Sequence, residues 1–370
     1  MDTPKRPRIL TFDLMRGYFL VAIILDHLRF FPSGLEFWSA QGDLFTTTAE
    51  GFFLISGLVL GIVRGSKLLA KPFSVVTRLL INRGVQLYIT AISLVLIFTL
   101  IGWLLIDNPG LKVGIILPTT NLLDVLWKTI TLQYFYGWAD YLRLYAIFLL
   151  VSPLAMWLLR RGWWYILLGA NFAVWLLFPS DPTVPDITQE LLQPLTWQLI
   201  FFGGITIGFY WNQITAWWLS LTLRMRSIVT WSVVGLAVIT LVINVLIVFA
   251  PDYLHSIGYP VDLHYTLYRG YFDKERLPLT RIGLFLLWFW AAFALFQRFE
   301  PFILRILGWL LLPFGTNSLY VYTVHAFVIF FIQLYLKPSN WLVNLVVSLS
   351  AILLIRIMIH YKVLMKIIPR

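Results

Sequence analysis

Apolar residues gather in ten stretches, each near the length of a membrane-crossing helix, with more polar connections between them. They run over 10–31, 46–63, 85–106, 142–159, 163–179, 194–212, 228–250, 281–297, 313–335 and 341–361. A helix needs about 20 mainly apolar residues to cross a hydrocarbon core of about 30 Å. The pattern therefore predicts an all-α, polytopic membrane protein: about ten transmembrane helices in one bundle, a single integral membrane domain over residues 1–370. The first stretch carries Asp13, Arg16, Asp26 and His27 and lacks a small-residue cleavage site. It is expected to be a span rather than a cleaved signal peptide.

Composition agrees with this. Hydrophobic residues make up 60% and charged residues 12%, with a mean hydropathy of +0.83. A soluble domain runs nearer 45–50% and about 25%. The chain has no cysteine, which rules out a disulfide scaffold, a thiol nucleophile and a thiolate metal ligand. No metal is expected, because none of the five histidines has the close helical pairing of a zinc site. The net charge of +11 could suggest nucleic acid, but its distribution points to lipid-bilayer topology instead. With Lys5, Arg6 and Arg8 placed in the cytoplasm, ten spans return Lys362, Lys366 and Arg370 there too, so both termini are expected to be cytoplasmic. Arg64, Lys67, Lys71, Arg78, Arg83, Arg160, Arg161, Arg224, Arg226, Arg298 and Arg305 fall on the same side. Most of the acids, from Glu36 to Asp262, fall outside. A plasma or inner membrane is the expected location.

Three connections are longer than turns. Residues 64–84, basic and containing Pro72, read as an interfacial helix. Residues 107–141 and 251–280 are outer segments rich in aromatics, including Tyr136 and Trp138. Such rings form interfacial belts, and they also make platforms for pyranose faces.

Ionisable groups inside spans are costly and usually face a bundle interior or a wet cavity. Arg16 and His27 are eleven positions apart, so they differ by about 20° around a helix axis. Asp13 lies within about 60° of Arg16. The three share one face, with Arg16 toward the cytoplasmic end and His27 toward the outer end. Glu50 opens the second span at a similar depth to His27 and is the expected carboxylate partner of its ring. Asp26, beside His27, points about 100° away and is a poorer one. In residues 314–327, Asn317, Tyr320 and His325 belong to a run too polar for a lipid-facing helix and are expected to form a second wall of the site.

Several segments together resemble the OpgC relatives within the membrane acyltransferase-3 group. The first is FDLMRGYFLVAIILDHL, with ten residues between its Arg and its His, followed by TAEGFFLISGLVLG. Later come YLRLYAIFLLVSPLAMWLL, WQLIFFGGITIGFY, FDKERLPLTRIGLFL and LLPFGTNSLYVYTVHAF. The resemblance covers almost the whole chain. It implies transfer of an acyl group, acetyl or succinyl, from cytoplasmic acyl-CoA to a hydroxyl of a carbohydrate or glycan at the outer side, with acyl-CoA as co-substrate.

The residues accommodate that chemistry. Arg64, Lys67, Arg78 and Arg83 would hold the CoA phosphates, and Arg16 with Asp13 would lie beside the arm. His27 would be the general base or an acyl-carrying nucleophile, oriented by Glu50. Asn317, Tyr320 or His325 would donate to the developing oxyanion. Arg143 or Arg281 would read a succinyl carboxylate. A proton-coupled transporter or flippase of a sugar-containing substrate uses the same residue types. A paired, broken-helix symmetry that would favour it is not evident. A non-catalytic scaffold leaves the one-sided charges of the first span unexplained.

Overall fold

The computed structural model describes residues 9–111, 114–138, 140–178, 186–365 and 368. The basic residues Lys5, Arg6, Arg8, Lys366 and Arg370, on which the expected orientation partly rests, lie outside the described residues. Fifteen α-helices and no strand occur among the described residues. They are α1 (Leu10–Leu28), α2 (Thr48–Leu60), α3 (Phe73–Leu104), α4 (Leu122–Ile130), α5 (Asp140–Arg160), α6 (Trp164–Trp175), α7 (Asp186–Phe209), α8 (Trp211–Ser220), α9 (Leu223–Phe249), α10 (Pro251–Ser256), α11 (Leu263–Tyr271), α12 (Leu279–Arg298), α13 (Glu300–Thr316), α14 (Ser318–Tyr335) and α15 (Trp341–His360).

Eight of these, α2 with its helical continuation to Leu68 and α3, α5, α7, α9, α12, α14 and α15, are long and apolar enough to cross a membrane. The protein is a multi-pass membrane protein. The ten expected spans are corrected in three places. Residues 163–179 yield only the 12-residue α6. The expected 313–335 span breaks at Asn317, so α14 stands alone and residues 300–316 form a separate helix, α13. The interfacial helix and the span expected over 64–106 are largely one 32-residue helix, α3, entered through Pro72. At 1.5 Å per residue α3 is about 48 Å long and outruns the hydrocarbon core. α1 has the length of a span, but Asp13, Arg16 and Asp26 distinguish it from the eight.

The charges of α1 are tolerated because α1 is central. It packs against α2, α12, α13, α14 and α15, and 13 of its 19 residues are buried. It ends where Arg29 turns to a left-handed conformation (φ 55°) and returns its N–H to Leu25 O. α1 and α13 run antiparallel, and Gly17 lets them meet backbone to backbone: a Cβ there would lie 2.0 Å from Leu311 O. The parallel α2–α7 seam is as close and uses four glycines. Gly57 and Gly61 on one helix face Phe201 and Ile205, and Gly204 and Gly208 on the other face Leu54 and Leu58. These are two small-xxx-small pairs, the spacing that brings membrane helices into close contact.

Candidate functional site

Candidate residues gather at the two ends of α1. At the Leu28 end, His27 occupies the last turn of α1 and His325 the buried middle of α14. His27 Nδ1 and His325 Nε2 are 3.1 Å apart. Gln333, two turns along α14, donates to the His27 carbonyl at 2.8 Å and ties the helix ends together. His325 Nδ1 contacts the Tyr322 carbonyl oxygen. A carbonyl only accepts, so Nδ1 of His325 carries the hydrogen and its Nε2 is the acceptor. The hydrogen between the rings therefore belongs to His27 Nδ1. This tautomer follows from the bonding pattern. Trp138 stacks on the His27 ring, with centroids 4.2 Å apart and planes 15° apart.

Glu50 is not the partner of His27 that the sequence suggests. Its Oε1 accepts from Arg281 Nε at 2.7 Å, in an ion pair with no exposure on either side. Its Oε2 accepts from Thr47 N–H at 3.1 Å and from the Thr47 hydroxyl at 2.6 Å. A buried carboxylate is stabilised more by a guanidinium than by a neutral ring, and Thr47 with Glu50 forms a capping box at the start of α2. Asp26 is likewise engaged, accepting from the Ser39 hydroxyl. Arg281, expected as a reader of a carboxylate, is occupied by Glu50 and by Phe272 O at 2.7 Å. Arg143 is buried, with its guanidinium 4.3 Å from the Phe135 ring centre.

The other expected wall residues are placed elsewhere. Asn317 Nδ2 donates to Pro313 O at 2.8 Å, closing α13. The Tyr320 hydroxyl donates to Val363 O at 2.6 Å. Both lie at the start of α14, more than one turn below His325. Tyr136 is buried with its ring edge-on to Phe330, and of the two aromatics it is Trp138 that stacks on His27.

The start of the FDKERLPLTRIGLFL segment lies near this end. Residues 272–278 wedge between helices. Asp273 is buried and accepts from the N–H groups of Glu275 and Arg276 at 2.9 Å each. Trp175 of α6 donates to Leu277 O at 3.1 Å, and Glu275 accepts from Gln193 of α7. Lys274 lies 5.5 Å from the centre of the Tyr141 ring. Burial alone would lower its pKa, but Tyr141 and Glu275 outweigh that and raise it, so Lys274 stays charged.

At the Leu10 end, a cavity of about 410 Å³ is lined by Asp13, Arg16 and Lys67, with Phe12, Trp211 and Thr316 among its other walls. Arg16 Nε is buried in it without a hydrogen-bond partner. Three of the six expected donor-binding residues meet here. Arg64 and Arg83 lie outside the lining but within electrostatic reach of each other, and Arg83 donates to Gln86 at 2.7 Å. Arg78 is exposed on α3 and is not part of the cavity. No cluster able to hold a metal ion occurs among the described residues.

The family model described as OpgC protein matches residues 8–367, nearly the entire chain. The chain belongs to the OpgC family. Its membership points to a membrane enzyme that modifies glucans, and the two equipped ends of α1 are features of this OpgC chain. No curated protein and no solved structure matches it.

Proposed function

We propose that this OpgC-family protein transfers an acyl group, acetyl or succinyl, from acyl-CoA to a hydroxyl of a glucan at the outer side of the cell membrane. The observation that carries the proposal is the pairing of His27 Nδ1 with His325 Nε2 beside the aromatic face of Trp138, and in this reading Nε2 of His27 is the base. The cavity of Arg16 and Lys67 supports a donor site at the other end of α1. The two ends are eleven residues apart, about 16 Å along the helix, a distance suited to the pantetheine arm of CoA.

In this scheme Arg16 and Lys67 bind donor phosphate at the cytoplasmic side, with Asp13 beside Arg16. His27 Nε2 takes the proton of the glucan hydroxyl as its oxygen attacks the thioester carbonyl. The new O-acyl bond forms, the C–S bond breaks, and the CoA thiolate takes the proton back from His27. His325 holds the ring of His27 and its tautomer. Trp138 offers a sugar a flat apolar face.

The test is incorporation of label from acetyl-CoA and from succinyl-CoA into a β-glucan by purified protein in nanodiscs. Labelled glucan with wild type and none with His27→Gln is the expected result. Failure of both donors to label any glucan, with folded protein, would overturn the proposal.

A further inference from the structure

Among the eight helices able to cross a membrane, α9 is the one least enclosed by protein: only 11% of its most apolar stretch is buried. It packs mainly on α12, and toward the α1–α2 side Asn244 accepts from the Phe45 N–H at 3.1 Å. Two hollows follow this seam. The smaller, about 250 Å³, is bounded by Trp218 of α8, Arg226, Thr230 and Trp231 of α9, and Arg298 of α12. The larger, about 670 Å³, continues between α9 and α12 on one side and α1 and α2 on the other, with walls that include Ala237, Leu241, Val245, Phe285 and Ala291. Val234 and Leu295 line both, so the two form one groove.

The groove has a cationic mouth and an apolar body. Arg226 lies in the first turn of α9 and Arg298 is the last residue of α12, so both sit where an antiparallel helix pair ends. Neither has a hydrogen bond or ion pair among the described residues, and Arg226 Nε is buried without a partner. Two uncompensated guanidiniums between tryptophans at a helix end match the headgroup level of a bilayer. The body runs along α9 from Val234 to Phe249, about 22 Å, longer than one leaflet's share of a core about 30 Å thick. The neighbouring surface of α9 is exposed and apolar, with Ile239 58% and Val242 52% exposed, so hydrocarbon is the medium at its side.

We infer that this groove holds an anionic phospholipid, with its phosphate between Arg226 and Arg298 and one acyl chain between α9 and α12 and the α1–α2 pair. The lipid supplies packing that α9 lacks from protein, and it joins α9 to the helices that carry Glu50 and His27. The site is separate from the Arg16 cavity, and the inference does not depend on the acyl-transfer reading.

The test uses the full chain, purified in detergent and offered equal amounts of phosphatidylglycerol and phosphatidylcholine with matched chains. Retained lipid is measured by native mass spectrometry. Wild type should keep phosphatidylglycerol preferentially. Arg226→Gln with Arg298→Gln should weaken its retention about 30-fold, from roughly fivefold for each cation near a headgroup. Ala291→Phe, which fills the hollow and leaves both charges, should lose both lipids. Melting temperature in detergent confirms folding of each variant. Equal retention of the two lipids, or an unchanged preference in the double arginine variant, would overturn the inference. So would stabilisation by inorganic phosphate as large as that by phosphatidylglycerol, which would make the mouth a free-anion site.

Discussion

His27 and His325 face each other nitrogen to nitrogen at 3.1 Å, although 298 positions separate them in the chain. The contact makes one imidazole the support of the other. Replacing His27 with Gln should lower acyl transfer by roughly 10²–10⁴-fold, the usual contribution of a general base. Replacing His325 with Leu should cost roughly 10–100-fold, the scale on which loss of an orienting partner acts. His325→Gln retains an acceptor for His27 Nδ1–H and should lose less than His325→Leu. Turnover of the three variants, with acyl-CoA binding as a folding control, checks this order. Equal losses for His325→Leu and His325→Gln would remove the orienting role.

The Glu50–Arg281 pair should matter to folding before chemistry. Glu50→Gln keeps the capping geometry with Thr47 but leaves Arg281 charged and unbalanced. Breaking one side of a buried pair costs about 3–5 kcal/mol. Combining it with Arg281→Met should recover much of that loss. Thermal unfolding in detergent measures both, and additive losses in the double variant would contradict the pairing.

At the other end of α1, Arg16→Ala and Lys67→Ala should each weaken acyl-CoA binding roughly tenfold or more, the scale of a hydrogen bond to a charged group. Arg78→Ala, exposed and outside the cavity, should bind normally. Calorimetric titration at two ionic strengths decides the matter, because exposed charge contacts weaken with salt and enclosed ones less so.

The α2–α7 seam gives a prediction independent of function. A Cβ at Gly57 would fall 2.1 Å from Phe201 O. Gly57→Ala should therefore cost at least the 1–3 kcal/mol typical of overpacking, here about the upper part of that range. Gly169→Ala, with nothing within 4 Å of its Cβ, should stay within about 0.5 kcal/mol of wild type. Comparing their melting temperatures is sufficient.

Much of the bundle was legible in the sequence because hydropathy reads length and polarity directly. α2, α5, α9, α12 and α15 fall close to the expected spans. α13 escaped because its 17 residues hold Glu300, Arg305 and Pro313, and its role is to pack on α1 rather than to meet lipid. The helical periodicity of α1 put Arg16 and His27 on one face, and Arg16 does line a cavity. Glu50 was misassigned because spacing gives depth but not partner, and Arg281 is 231 positions away. The T-x-x-E pattern at Thr47–Glu50 was a signal that one carboxylate oxygen belongs to the helix start. Asn317 and Tyr320 were drawn into the site by proximity in sequence to His325, but a helix turns them toward Pro313 and Val363.

The central position of α1 has a consequence for how the protein is made. The first helix of the described chain to leave the ribosome carries Asp13, Arg16 and Asp26, and the second carries Glu50. The helices that enclose them, α12 to α15, are synthesised last, as is Arg281. During synthesis the early charges must wait in the translocon or at the membrane surface, because each is costly in hydrocarbon without its surroundings. A chain stopped before residue 281 would present Glu50 unneutralised to the bilayer. Such truncated chains should be the ones that membrane proteases remove, while the finished protein hides the same groups from them.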